Sequence, residues 1–244
     1  MSQSSSSGYL QSLFGLSGKT AVVIGGTGVL GGAIAETLAQ AGAHVVIVGR
    51  NAENGAGRVK MIEELEGTAE FFKADSTSRE DLEALVAHLK SNDRTTDILV
   101  NGAGINAATP FLEISDEEWE SIFRVNLLSV KVACQVFGQS MLDNNVAGSI
   151  INIASMSAIT PLSRVFTYSA SKAAVLNLTQ NLAREWAERN IRVNALSPGF
   201  FPAEQNRKVL TPERVAIIMN HPPANRFGAP EELAGAVLLL AAAK

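Results

Sequence analysis

Six short, largely apolar runs punctuate the chain, at 19–24, 44–48, 69–74, 97–101, 149–154 and 191–196. Between them apolar residues recur at helical spacing, over 33–39, 52–65, 79–90, 115–142 and 168–189. Runs of this length with little polar alternation read as strands buried on both faces. Their alternation with helices predicts a parallel sheet covered on both sides. The helix starts agree with this. Ser115-Asp-Glu-Glu118 is a capping box that opens the helix 115–142. Thr211-Pro-Glu213 and Ala229-Pro-Glu-Glu232 open two more, the second with proline in its first turn. The expected fold class is α/β, a single domain with a three-layer, doubly wound parallel sheet.

Composition adds limits. A chain of 244 residues that is 46% hydrophobic is long enough for one domain with a large core. A net charge of −4 without a Lys/Arg run excludes the basic field of a nucleic-acid binder. No segment approaches the ~20 apolar residues of a membrane span. Met1 to Ser7 is serine-rich and lacks the basic residue of a secretory signal. Residues 1–17 are therefore expected to be a flexible N-terminal segment, and the location to be cytoplasmic. The single cysteine, Cys134, excludes an internal disulfide framework and falls in a helical pattern as a small core residue. His44, His88 and His221 are scattered without metal-ligand spacing, so no metal site is expected. Trp119 and Trp186 sit in helical segments as packing residues.

The loop after the first run introduces chemistry. Gly25-Gly-Thr-Gly-Val-Leu-Gly-Gly32 stands between a strand and a helix, and Gly26, Gly28 and Gly31 fit G-x-G-x-x-G. Glycines let the backbone turn tightly and approach a pyrophosphate, whose charge sits at the helix N-terminus. A dinucleotide site on a Rossmann fold follows, with Gly25, Thr27, Gly28, Val29 and Leu30 as its loop contacts. An acidic residue about 20 positions past the glycines would bind an adenosine ribose hydroxyl. Gly49-Arg50-Asn51 stands there instead. Glycine leaves room for a 2′-phosphate and a guanidinium binds it, so NADP(H) is the preferred cofactor and NAD(H) the alternative. A solvated loop arginine is the competing reading of Arg50. Asp75, beside Ser76, could accept a bond from the adenine amino group or simply begin a helix. Asn101, Ala103 and Gly104 belong to a small-residue loop whose backbone can pass close to the cofactor.

Tyr168 and Lys172 stand four apart at the start of a helical segment, so both project from one face. Ser155 lies thirteen residues upstream of Tyr168, just past the fifth run. A phenol, an ammonium and a hydroxyl meeting at the carboxyl end of a sheet can bind a carbonyl oxygen and give it a proton. Free tyrosine titrates at about 10, so it is a ready donor at neutral pH, and a nearby ammonium would lower that value. Tyr168 is expected to act as acid in reduction and base in oxidation, with Ser155 orienting the carbonyl oxygen. Singly, each has a bland reading as packing aromatic, solvated charge or cap. Their joint spacing behind a dinucleotide pattern argues against all three together.

Over nearly its whole length the sequence resembles the short-chain dehydrogenase/reductase family. The matches, in order, are the glycine loop, Asn101-Gly-Ala-Gly104, Asn126, Ser155, Tyr168, Lys172 and Pro198-Gly199. The resemblance implies a nicotinamide-dependent oxidoreductase domain over 18–244. It implies that Lys172 binds the nicotinamide ribose hydroxyls and that Asn126 holds a water linking Lys172 to solvent. It also implies that Pro198, Gly199 and Phe201 contact the cofactor. In relatives the helices at 115–142 and 168–189 pair across a two-fold axis, so a homodimer or homotetramer is expected. Four features depart from the family pattern. Ile24 and Val29 stand where T-G-x-x-x-G-x-G has threonine and glycine. Gly49 replaces the acidic residue. Ala203 replaces the threonine that often holds the carboxamide. The chain ends at Lys244, so the family's last strand is expected to be missing.

A closer resemblance is to members that act on sugar acids, the D-mannonate oxidoreductase (fructuronate reductase) type. It rests on 26–32, Gly102-Ala-Gly104, Thr160-Pro161 and 198–207. It implies a small-molecule keto sugar acid as substrate. Asn106, Arg164, Glu204, Gln205, Asn206 and Arg207 are the candidate substrate residues, because a carboxylate calls for a bidentate arginine and hydroxyls for amide or carboxyl partners. A polar surface loop is the competing reading. Two rival functions stand beside this one. The first is a 3-oxoacyl-[acyl-carrier-protein] reductase, which often carries Gly-Arg after the second strand. The second, of another class, is a catalytically silent dinucleotide sensor or scaffold.

Overall fold

The computed structural model describes residues 6–201, 215, 219 and 222–242. Ala203, the candidates Glu204 to Arg207, the helix start at Thr211, and His221 lie outside them. Six strands form one parallel sheet: β1 Thr20–Ile24, β2 His44–Gly49, β3 Thr68–Lys73, β4 Ile98–Asn101, β5 Ser149–Ile153 and β6 Arg192–Leu196. Their order across the sheet is β3-β2-β1-β4-β5-β6. Successive side chains of a strand face opposite ways, so each strand feeds two cores. Val22, Val46, Leu99 and Ile150 face one layer, with Leu82, Leu85, Phe137 and Val175. Val23, Ile47, Val100 and Ile151 face the other, with Ile34, Leu38, Ile62 and Val237. Each such buried side chain contributes roughly 1.5–3 kcal/mol. Among the helices that supply these partners are α2 Val29–Gln40 and α3 Ala52–Glu64 on one face, and α4 Arg79–Ser91 on the other. The expected three-layer architecture is present, and the described sheet ends at β6.

Local signals set the helix starts. The side chains of Asn51, Ser78 and Ser115 each accept a bond from the backbone N–H three residues on, at 3.0, 3.2 and 3.1 Å. Ser115 opens α5 Asp116–Phe123, but the helix expected over 115–142 is interrupted. A π turn, Arg124–Leu128, separates α5 from α6 Ser129–Asp143. Such a turn widens the helix by one residue, and a period-3.6 reading does not register it. α7 Phe166–Trp186 follows β5, and α8 Ala234–Ala241 closes the described chain. Arg192 and Ser149 tie the end of α8 to the sheet. Both donate to the Leu240 carbonyl, at 2.8 and 2.7 Å, and Arg192 also to that of Ala242 at 2.8 Å.

Within the expected N-terminal segment, Ser6–Phe14 forms α1, and the buried Leu16 follows it, its N–H donating to the Ala41 carbonyl at 2.7 Å. His44 and His88, far apart in the chain, meet at Glu70, Nε2 of each contacting a different carboxylate oxygen, at 3.1 and 2.9 Å. These contacts hold the Glu70 carboxyl below its usual range against the upward push of its own burial. Trp119 is partly exposed and stacks on Phe123, whereas Trp186 packs over Gly138 as expected. Among the described residues, no helix is long and apolar enough to cross a membrane, and no three His, Cys, Asp or Glu are grouped to hold a metal ion.

Candidate active site

The strand order reverses between β1 and β4, so the connections leaving their carboxyl ends part and open a crevice. The glycine loop lies there for steric reasons. Gly25 has φ 79°, and a Cβ on it would stand 2.8 Å from the Ala103 nitrogen. A Cβ on Gly31 would overlap the Gly25 carbonyl oxygen. The loops after β1 and β4 can therefore pack backbone to backbone only with glycine at 25. α2 starts directly behind and points its N-terminus into the crevice, which favours an anion.

The crevice is a cleft of about 710 Å³, and its walls include Gly25, Thr27, Gly28, Val29, Arg50, Asp75, Ser76, Ala103 and Gly104, all expected there. A Cβ on Gly49 would stand 2.8 Å from Thr27 Cγ2 and 2.9 Å from its Oγ1. Thr27 thus occupies the space an acidic side chain at 49 would need, while Arg50 is exposed beside it. The Asp75 carboxylate accepts from the Thr77 N–H and hydroxyl, both at 2.8 Å. The Thr77 backbone bond leads in holding its carboxyl below the usual range, and the charges of Arg50 and Arg124 add to it. Arg58 and Arg124 line the same cleft and were not anticipated. Arg124 stands two before Asn126, in a turn without a helical-period signal.

Three expected cofactor residues are placed otherwise. Leu30 packs on the apolar layer beside α2. Asn51 uses its side-chain oxygen to cap α3. Asn101 is buried, and its amide donates to Asn152 Oδ1 at 2.8 Å, while Asn152 donates to Thr179 Oγ1 at 2.9 Å. Asn101 therefore joins the strands rather than facing the cleft. Pro198, Gly199 and Phe201 follow β6 outside the cleft walls. The Pro198 carbonyl accepts from Met156 N at 3.1 Å, next to Ser155, and Phe201 packs over Gly228.

Ser155 leaves the carboxyl end of β5 and caps a 3-10 turn, its Oγ accepting from the Ser157 N–H at 3.2 Å and lying 3.0 Å from the Ser157 hydroxyl. Tyr168 and Lys172 project from the first turns of α7. Lys172 is 3% exposed, donates from Nζ to the Ile153 carbonyl at 2.7 Å, and lies 5.8 Å from the Tyr168 ring centre. Burial pulls the Lys172 ammonium down to about 8. Burial also pushes the Tyr168 phenol above its ordinary value, opposed by a hydrogen bond with Ser155. The lowering expected from Lys172 is not among the causes that set the Tyr168 phenol; Nζ is turned to a backbone carbonyl.

Asn126 lies in the π turn and is fully buried. Its Oδ1 accepts from Ile105 N at 2.8 Å, and its Nδ2 donates to Ile105 O and Ser171 Oγ, both at 3.0 Å. Ser171 in turn donates to the Tyr168 carbonyl at 2.7 Å. Both amide hydrogens are thus engaged by protein, and the side chain positions the β4 loop against α7 rather than presenting a donor to water. A Cβ on Gly104 would stand 3.3 Å from Asn126 Oδ1 and 3.5 Å from Lys172 Nζ, so the three converge. Asn106 and Arg164 are exposed, Arg164 at φ 62° on the approach to α7. Met156, Ile159 and Phe166, the near neighbours of Ser155 and Tyr168 in the chain, are exposed apolar side chains. The ensemble can hold a carbonyl oxygen at Ser155 and Tyr168, beside a cleft shaped for a dinucleotide.

Residues 19–214 match the short chain dehydrogenase family. The chain is 40% identical over 228 residues to 3beta-hydroxysteroid dehydrogenase 1 of Eggerthella lenta, covering 93% of this chain and 87% of that one. It is 37% identical over 237 residues to 2-dehydro-3-deoxy-D-gluconate 5-dehydrogenase of Bacillus subtilis, covering 96% and 91%. Its structure matches a gluconate 5-dehydrogenase from Burkholderia cenocepacia, solved in complex with NADP and tartrate, with a TM-score of 0.90, 31% identity and coverage of 96% and 92%.

Proposed function

The chain belongs to the short-chain dehydrogenase family, and from that premise we propose that it interconverts a keto sugar acid and its hydroxy acid with NADP(H). The observation that carries the reading is the meeting of Ser155, Tyr168 and Lys172 beside the glycine-lined cleft. The cradle fits a dinucleotide because glycine is required at 25 and 31 and α2 presents its N-terminus. Arg50, with no acidic side chain at 49, suits a 2′-phosphate.

A dinucleotide held by the glycine loop and Arg50 would supply the hydride. Tyr168 gives its phenolic proton to the carbonyl oxygen as charge develops there. Ser155 donates a second hydrogen bond to that oxygen and holds it in line. Lys172, charged below about pH 8, offsets the growing negative charge on the phenol, and the hydrogens it does not give to the Ile153 carbonyl would be free for the ribose of a bound cofactor. In the oxidation direction Tyr168 takes the proton back.

For the substrate, relatives named for gluconate and 2-dehydro-3-deoxy-D-gluconate support a polyhydroxy acid with one keto group. Fructuronate and mannonate belong to the same chemical class. Arg164, exposed and four residues before Tyr168, is our candidate for the carboxylate. A second reading, an apolar hydroxy substrate such as a steroid, is favoured by exposed Met156, Ile159 and Phe166 and by the Eggerthella lenta relative. A panel decides between them: 5-ketogluconate, fructuronate, a 3-oxoacyl thioester and a 3-ketosteroid, each with NADPH and NADH. Turnover of a keto sugar acid with NADPH is expected; turnover confined to the thioester or the steroid overturns the substrate class. We also propose a cytoplasmic homodimer or homotetramer.

A further inference from the structure

Arg58 stands on α3, outside every role assigned above, yet it lines the cleft with Arg50, Thr27 and Gly28. Its guanidinium lies face-on over Gly32, the fourth residue of α2. A Cβ there would overlap its Cζ and Nη2 and stand 2.5 Å from its Nε. Nη1 is paired with Glu36, one turn further along α2. Among the described residues Nε and Nη2 have no hydrogen-bond acceptor. The side chain is only 18% exposed.

This is an unfavourable place for a cation on its own. The first turn of a helix carries partial positive charge, and an arginine held against it is repelled. Glu36 offsets part of that charge and leaves two donor nitrogens uncommitted. An anion entering the cleft would satisfy both the arginine and the helix end. A phosphate monoester carries about −1.5 to −2 charges at neutral pH, more than one guanidinium neutralises. Arg50 is exposed, whereas Glu36 holds Arg58 in the space that Gly32 leaves before any ligand arrives.

We infer that Arg58 is a second specificity-determining cation for the 2′-phosphate of NADP(H), with Gly32 admitting its guanidinium and Glu36 holding it. This rests on the NADP(H) reading above. The test is calorimetric binding of NADP+, NAD+ and 2′,5′-ADP, without substrate, to wild type, Arg58→Gln, Gly32→Ala and Arg50→Gln. Losing charge-assisted bonds to phosphate should weaken NADP+ and 2′,5′-ADP in Arg58→Gln by roughly tenfold or more, with NAD+ changed by less than about twofold. Gly32→Ala should do the same while folding normally. Alanine suits a helix better than glycine, and its methyl displaces only the end of a flexible side chain. If Arg50→Gln abolishes the preference for NADP+ but Arg58→Gln and Gly32→Ala keep it, the inference falls and the cofactor reading stands. Equal losses for both dinucleotides would also overturn it, marking Arg58 as a brace of the cleft. A wild type that binds NAD+ as tightly as NADP+ would overturn the cofactor reading itself, and this inference with it.

Discussion

Lys172 is charged at neutral pH by a narrow margin, because burial brings it down to about 8. Tyr168 is pushed the other way and stays protonated well into the alkaline range. Carbonyl reduction needs the phenol protonated and the ammonium charged. As pH rises, the first loss is therefore the Lys172 proton. kcat/KM for NADPH should be flat below about pH 8 and fall above it. Lys172→Arg keeps its charge, so that limb should vanish even though the rate is lower. A wild-type profile flat to pH 10 would rule out Lys172 as the titrating group. Tyr168→Phe removes the proton donor with little change in shape. It should lower kcat by a factor of about 10² to 10⁴ while calorimetric NADP+ binding persists. An unchanged rate would sink the mechanism. At this scale spacing singled out Ser155, Tyr168 and Lys172, and the fold brings the three near one another. Spacing could not show which partners the side chains of Asn51 and Asn101 take. An asparagine that ends a strand reads the same whether it faces a cofactor or, like Asn101, bonds to Asn152. The occupation of the space at Gly49 by Thr27 was likewise invisible, because it depends on two loops meeting.

The elements were more legible than their irregularities. The inner strands appeared as apolar runs because a parallel sheet buries both their faces, and Ser115 marked the start of α5 through its cap. The π turn left no such mark, yet it is what sinks Asn126 into the protein. There one side chain joins three elements, the β4 loop through Ile105, the π turn itself, and α7 through Ser171. Asn126→Ala would leave the Ile105 N–H and carbonyl without these partners in a part-buried site. It should lower unfolding stability by about 2–4 kcal/mol, read as a reduced denaturant midpoint at constant slope. Because Ser171 anchors the Tyr168 backbone, kcat should fall while binding of the adenosine half, probed with 2′,5′-ADP, is retained. Unchanged stability together with a lowered kcat would point instead to the water-holding role that the family resemblance implies.

At the scale of the molecule, the two cores consume the apolar faces of the sheet, and large apolar side chains stay exposed at several places, one of them around α5 and the start of α7. Leu112 is 95% exposed, and Phe111 beside it packs edge-on against Phe166 at the start of α7, 5.3 Å between ring centres. Trp119 on α5 and Leu128 at the end of the π turn are exposed as well. A folded chain rarely leaves several large apolar side chains on neighbouring elements uncovered unless a partner surface meets them. A second copy of the chain presents the same surface, and a two-fold interface is self-complementary by construction. Light scattering at micromolar concentration should therefore give a mass of at least two chains. Leu112→Glu combined with Trp119→Glu places charge on that surface without touching either core, so the denaturant midpoint of the isolated chain should change little. The mass should fall to that of one chain. A monomeric wild type, or a double variant that keeps the wild-type mass, would show that these side chains are not the interface.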